Sequence, residues 1–590
     1  MSSTSGVIVN GIAKHRHAPL LASASGATAI AAVLITAAGC TTGGSKVPTD
    51  VASVPTCSVP STTFAGWFKS GSVTKDGEVT PADSANFTNI PNCDFYVWSE
   101  RMFLWLTSPT PATYGGGGGR IFASPAFFDV SPADASDQRT LIAHSASLTP
   151  HFLLRDAQLG PHELPLFHTK QGLRFELAPT PVGPNKLPMI RNAAGESIEI
   201  KRAELSDKGL PLFFDAQDRP IEFHRLHAEK QTADKILMAQ KFVIKDKTFF
   251  IDSFGNALPA EQAEADTGVL MGQNNSLVYY TIEVNDVFGY LASGVNSSPP
   301  AISATHFPTS ASDVTPIQAY ATAKGAGTFP DPEALAIELK TAWVEASSLP
   351  ADCNYITMKA EIPTYDTSDA AHWTATGTTT KTMAMVGMHV VGSTAGHAEM
   401  IWATFEHKCN APNSGYTYNG ASTNETGPAE TGPWLFSSTN TPSPTPNVMR
   451  QTYDSSATPA AINANTSQST YPHTIGPADI VRAFPWGMPG SNSSSNTQVI
   501  ATNHAVLSQL ATDDIRGNYI MTGATWTIGG VINGTQVGTN QLANTTMETY
   551  VQGTNCFDCH NNPTSDPKGD LGLEHGIGLS HIFGEIQPLP

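Results

Sequence analysis

Between residues 160 and 300, apolar and polar residues alternate with a period of two. Leu173-Arg174-Phe175-Glu176-Leu177 and Ser197-Ile198-Glu199-Ile200 put every second side chain on one face, which predicts strands. Phe213-Phe214-Asp215 leads into Asp218-Arg219-Pro220, and Phe249-Phe250-Ile251-Asp252 leads into Gly255-Asn256. Both read as hairpins and hint at a weak internal repeat. Ser276 to Val284 is a further strand. Met383 to Val391 and Met400 to Phe405 are apolar enough to be central strands, and Tyr519 to Ile528 returns to β.

Helical spacing is rarer. Cys93 to Leu106 places Trp98, Met102 and Trp105 along one helical face, a stripe that reads first as core. Asp331 as N-cap, Pro332 at the first helical position, and Leu335, Leu339 and Trp343 four residues apart predict a second helix. Val499 to Leu510 suits a third. Gly115 to Gly119 is a flexible loop without the following Lys-Ser/Thr of a phosphate-binding loop. Residues 410–475, rich in Ser, Thr, Asn, Pro and Gly, predict a long surface insertion. The fold class that follows is mainly β with a few helices (α+β), in a large β-rich body.

Composition sharpens this picture. Only 14% of the 590 residues are charged, while 49 are Gly and 43 Pro, the balance of a loop-rich β protein. With 40% hydrophobic residues a sizeable core is available. A formal net charge of −19 argues against nucleic-acid partners and would steer a basic redox partner, although solubility alone also accounts for it.

The chemistry concentrates near the C-terminus. Cys556-Phe557-Asp558-Cys559-His560 is a Cys-x-x-Cys-His run, the attachment signature of haem c. Each thiol can add to a haem vinyl group, and the histidine after the second cysteine can bind iron as proximal ligand. A zinc site would need a second close cysteine pair, and a redox disulfide would not need the histidine. Before the run, Thr545-Thr546-Met547-Glu548 reads as a capping box opening a short helix through Met547 and Tyr550. The short stretch after His560 contains no Met, which does not suit a small cytochrome domain built downstream of the motif, so the haem is expected against the β body.

The N-terminus supplies a compartment. A basic patch at Lys14 to His17, an apolar run from Ala27 to Ala38 and then Gly39-Cys40 read as a signal peptide too short to span a membrane stably. Ala37-Ala38-Gly39-Cys40 resembles the lipobox of bacterial lipoproteins, although Ala stands where Leu is commoner. Cys40 would then carry the lipid. Thr41 is not the Asp that retains such proteins at the inner membrane, which favours the outer membrane or cell surface, with a periplasmic protein as the alternative. Removing Cys40, Cys556 and Cys559 from the seven cysteines leaves Cys57, Cys93, Cys353 and Cys409. In an oxidising compartment these suggest two disulfides, and proximity favours Cys57–Cys93 and Cys353–Cys409 among the three possible connectivities. The expected organisation is a signal peptide (1–39), lipid anchor and tether (40–60), β-rich body (61–535) and haem-binding segment (536–590).

The sixth iron ligand decides between relay and chemistry. His581, among the apolar neighbours Leu579, Ile582 and Phe583, ranks first, ahead of His575 and Met547, and an open position is the remaining option. A second constellation, His389, His397, Glu399, Glu406 and His407, could hold a metal or relay protons. Its spacing fits no metal motif, so hydrogen-bonded polar groups holding a hairpin in register is the better expectation.

Three short segments carry a resemblance: Phe103-Leu104-Trp105-Leu106-Thr107-Ser108-Pro109, the Trp402-Ala403-Thr404-Phe405-Glu406-His407 end of the second constellation, and Asn544-Thr545-Thr546-Met547-Glu548-Thr549-Tyr550. Together with the C-terminal motif they make the chain similar to a group of bacterial exported monohaem proteins of the cytochrome c family, without an assigned reaction. The resemblance implies covalent haem and one architecture, but no substrate. The function expected is therefore a monohaem c-type cytochrome lipoprotein passing electrons to a redox partner at the cell envelope. A haem enzyme of peroxidase or oxygenase type, or a haem-based sensor or surface interaction protein, is the alternative.

Overall fold

In the computed structural model, residues 43–590 are described except 89–91, 115–118, 135–137, 146–148, 155–165, 169–173, 179–182, 186, 188, 192–195, 206–210, 223–236, 245–246, 253–256, 259–267, 440–449, 455–456, 466–471, 488–492, 533, 550–551, 553–555 and 561–575. The expected signal peptide, lipid-bearing Cys40 and most of the glycine loop fall outside them. No helix among the described residues is long and apolar enough to cross a membrane.

The protein is mainly β, built on one antiparallel sheet of eleven strands. In chain order these are β1 (Phe127–Val130), β2 (Leu141–Ala143), β3 (Tyr279–Asn285), β4 (Ile337–Glu345), β5 (Thr357–Asp366), β6 (His372–Thr394), β7 (His397–His407), β8 (Gln451–Asp454), β9 (Ala461–Ala464), β10 (Tyr519–Thr527) and β11 (Gln536–Gly538). The main path runs β2-β1-β3-β4-β6-β7-β10-β11, with β5 and β9 on the outer half of the long β6 and β8 beside β9. A separate five-stranded sheet is drawn from residues between 166 and 258.

Strand alternation separates two buried faces. On β4 and β7, Leu339, Trp343, Ile401, Ala403 and Phe405 point to one side. That face is covered by α1 (Ser61–Trp67), α2 (Asn92–Leu106) and α5 (Ser493–Leu507), with Phe103 stacked on Phe405 at 4.3 Å and Phe95 on Trp526 at 3.9 Å. The opposite face carries Val284, Val391, Met400 and Trp402. It is covered by α3 (Asp286–Val295), α4 (Ala311–Ala323) and the C-terminal residues from Ile577 to Ile586. Asn285 ends β3 and caps α3, its Oδ1 accepting from the Phe288 and Ile337 amides.

Three expectations change. The helix expected from Asp331 is a three-residue turn (Pro332–Ala334) followed by β4. Leu335, Leu339 and Trp343 are four apart, so they satisfy a period of two as well as a helical turn. Leu335 adopts φ +60°, which stops the turn, and pairing with β3 and β6 then selects the strand. The stretch near 410–475 is not only surface: Leu435 and Phe436 are fully buried, and β8 and β9 join the main sheet. The capping box is shifted by one residue. Asn544 is the cap, accepting from Thr546 N through its side chain while Glu548 accepts from Asn544 N at 2.8 Å, and residues 545–549 form turns. Both expected disulfides, Cys57–Cys93 and Cys353–Cys409, are formed.

Candidate functional site

The Cys-x-x-Cys-His run is the short helix α6 (Cys556–His560), so the two cysteines stand one helical turn apart with His560 immediately after. A short helix does not hold itself together, and tertiary contacts anchor this one. Phe557 is buried and meets Trp402 of β7 edge-on at 5.9 Å. The His560 ring lies 4.2 Å from the Trp402 ring. Trp402 is itself held by its Nε1, which donates to the Glu399 carbonyl at 3.0 Å.

His560 has a defined tautomer. Its Nδ1 lies 2.8 Å from the Leu579 carbonyl, which only accepts, so Nδ1 carries the proton and donates. In the neutral ring the lone pair is then on Nε2, the state a histidine needs to bind a metal through Nε2. The His560 ring is also stacked on His581, with centroids 3.9 Å apart and planes within 14°. The structure thus brings together His560 and His581, with Trp402 as a third partner.

The segment carrying His581 is a strap across the sheet. Arg139 pairs with Glu585, and its amide donates to the Glu585 carbonyl at 2.8 Å. Asn296 Nδ2 donates to the Phe583 and Ile586 carbonyls at 2.7 and 2.9 Å. Under Ser580 lies Glu338 of β4. Burial pushes its carboxyl up to about 7, against the opposing pull of the Ser580 hydroxyl, Arg139 and Lys340.

The chain leading into α6 is pinned as firmly. Thr545 donates through its amide and hydroxyl to Glu406 of β7, which also pairs with the buried Arg482 at 2.9 Å. Arg482 continues to Ser45 and Asn413. Glu548 meets His389 of β6 at 3.2 Å. A Cβ on Gly387 would lie 2.6 Å from Thr546 Oγ1, so the close approach of this loop to the sheet requires glycine there.

The second constellation separates into distinct structural contacts. His397 Nδ1 and Glu399 Oε1 are 2.8 Å apart, on one strand face as their spacing predicts, and the same oxygen accepts from the Thr527 amide and hydroxyl. His407 instead ties Asn354 to Cys409, donating to the Asn354 carbonyl and accepting from the Cys409 amide. Burial holds its imidazole down at about 3. Among the described residues no three His, Cys, Asp or Glu side chains are grouped to hold a metal ion. Met547 is buried with Leu270, Val278 and Leu435 in a different cluster from His560's neighbours, and His575 lies outside the described residues.

Sequence reading assigns Trp402 and Leu579 no role beside the histidines and does not single out Glu338. Each is recruited through sheet register or strap packing, which no local motif encodes. No protein-family model, curated protein or solved structure matches this chain.

Proposed function

We propose that the protein is an exported monohaem c-type cytochrome that transfers electrons at the bacterial cell envelope, anchored through a lipid on Cys40. Cys556 and Cys559 would hold one haem c by thioether bonds, and His560 Nε2 would bind the iron. The haem supplies a one-electron couple. The observation carrying this reading is the hydrogen bond from His560 Nδ1 to Leu579 O, which sets the tautomer an iron ligand needs beside the two cysteines.

The chain's own residues account for the rest. Leu579 O fixes the proton on Nδ1, and Trp402 and His581 fix the plane of the ring. Glu406, Arg482 and Thr545 hold the leading chain to a rigid sheet, which limits the rearrangement that would slow electron transfer. Two disulfides agree with an oxidising compartment. The acidic chain, at −19, favours a basic redox partner and disfavours nucleic acid.

The test is the optical spectrum of the exported, purified protein, ferric and ferrous, with and without carbon monoxide. Thioether-bound haem with a low-spin spectrum unchanged by carbon monoxide supports electron transfer. A high-spin spectrum that shifts with carbon monoxide turns the reading towards an enzyme or sensor. Absence of covalent haem ends it.

A further inference from the structure

We infer that His581 is a positioning residue for His560 and not the sixth ligand of the iron; this rests on the haem reading above. Two axial histidines approach an iron from opposite faces of the porphyrin, each pointing one ring nitrogen at the metal. The iron and the porphyrin plane then lie between the rings. His560 and His581 are instead stacked face to face, with centroids 3.9 Å apart and planes within 14°. A metal bound through an edge nitrogen of His560 lies in the plane of that ring, so the parallel ring stacked beside it stands on the same side of the metal as His560.

Moving His581 to the other side would mean moving the strap that carries it. That strap is held on both flanks of the residue. Leu579, two residues before, gives its carbonyl to His560 Nδ1 at 2.8 Å. Ile582 and Phe583, directly after, are buried in the cluster that contains Phe557 and Trp402. Further along, Asn296 binds the Phe583 and Ile586 carbonyls, and Arg139 pairs with Glu585. The backbone that delivers the Leu579 carbonyl to His560 thus delivers His581 to the same side.

The His560 ring is accordingly clamped by the tilted Trp402 ring at 4.2 Å, by the stacked His581 ring at 3.9 Å and by the tie from its Nδ1 edge to the strap. This clamp fixes the rotation of the ring about the bond it would make to iron. That rotation sets how the imidazole overlaps with the iron orbitals, and is read by electron paramagnetic resonance.

The experiment compares His581→Phe and His581→Ala with the parent, as exported holoproteins. Phenylalanine keeps a flat ring to stack but cannot bind iron; alanine does neither. A pyridine haemochromogen assay comes first. Haem attachment does not depend on His581, so a parent protein without covalent haem sinks the cytochrome reading and this inference with it. With haem present, His581→Phe is expected to keep the parent's spin state, carbon monoxide response and g-values. His581→Ala is expected to keep the spin state but shift the g-values and the midpoint potential. If both variants turn high-spin and bind carbon monoxide where the parent does not, His581 is a ligand and the inference is wrong. It is equally wrong if His581→Ala is indistinguishable from the parent.

Discussion

Trp402 of the central strand β7 lies directly against His560, its ring 4.2 Å away, although 158 residues separate them in the chain. Sheet and C-terminal motif therefore share one apolar cluster. Trp402→Ala is expected to destabilise the protein by about 3–5 kcal/mol, the range for emptying a buried tryptophan site. Trp402→Phe keeps much of the volume and loses the hydrogen bond to the Glu399 carbonyl, a net contribution of about 1 kcal/mol on top of the packing change. Urea denaturation followed by far-ultraviolet circular dichroism measures both, and equal losses in the two variants would show that packing against His560 contributes little.

The Glu406–Arg482 pair is buried at both ends, with side-chain exposures of 0% and 1%. Glu406→Gln removes the charge that balances Arg482 and weakens the acceptor for Thr545. The expected cost is about 3–5 kcal/mol, because a lone buried guanidinium is left behind. Limited proteolysis should then cut first near residues 544–549, where the leading chain is pinned to the sheet. The double change Glu406→Leu with Arg482→Met is expected to cost less than Glu406→Gln alone; a larger loss would mean that the pair is itself a net source of stability.

These two contacts mark the boundary of what the chain discloses by inspection. His397 and Glu399 are two apart on a strand, so their shared face follows from alternation, and the structure brings them to 2.8 Å. The disulfide pairs follow from proximity and parity. Arg482 and Glu406, by contrast, are 76 residues apart and meet only because the chain folds back across the sheet. Leu335, Leu339 and Trp343 misled because a spacing of four is compatible with both helix and strand, and only the partners β3 and β6 settle it. For the candidate site, the Cys-x-x-Cys-His motif was legible, and His581 was singled out there as a candidate iron ligand. The manner of their meeting was not, since stacking depends on how Asn296 and Arg139 hold the strap.

The Cys353–Cys409 bridge closes a separation of 56 residues. Replacing both cysteines by serine is expected to lower stability by about 2–4 kcal/mol through freedom gained by the unfolded chain. The loss should fall at the low end, since His407 spans the same two segments by binding Asn354 O and Cys409 N. Peptide mapping without reductant checks the pairing, and urea melts of the double variant give the cost. A variant as stable as its parent would show that His407 alone suffices to join the segments.

His407 also makes a prediction for pH. It is fully buried, stacked on Tyr355 at 3.7 Å, and its ordinary value of 6.5 is pushed down to about 3. Burial is the main cause; Lys408 and Arg482 add to it and the Asn354 hydrogen bond opposes it. The folded protein thus keeps the ring neutral where the unfolded chain protonates it. Between 6.5 and about 3 the unfolded state binds the extra proton, so stability rises with pH there and is lost as the solution is acidified. Two pH units below the ordinary value, the loss from this residue alone is about 3 kcal/mol. His407→Gln removes the titration while offering a side-chain donor for Asn354. It is expected to be less stable than the parent at pH 7 yet to lose less on going to pH 4.5. Urea midpoints for both proteins at the two pH values decide it. Parallel losses would place the acid sensitivity elsewhere, whereas a flatter profile in the variant assigns it to the neutral ring that joins Asn354 to Cys409.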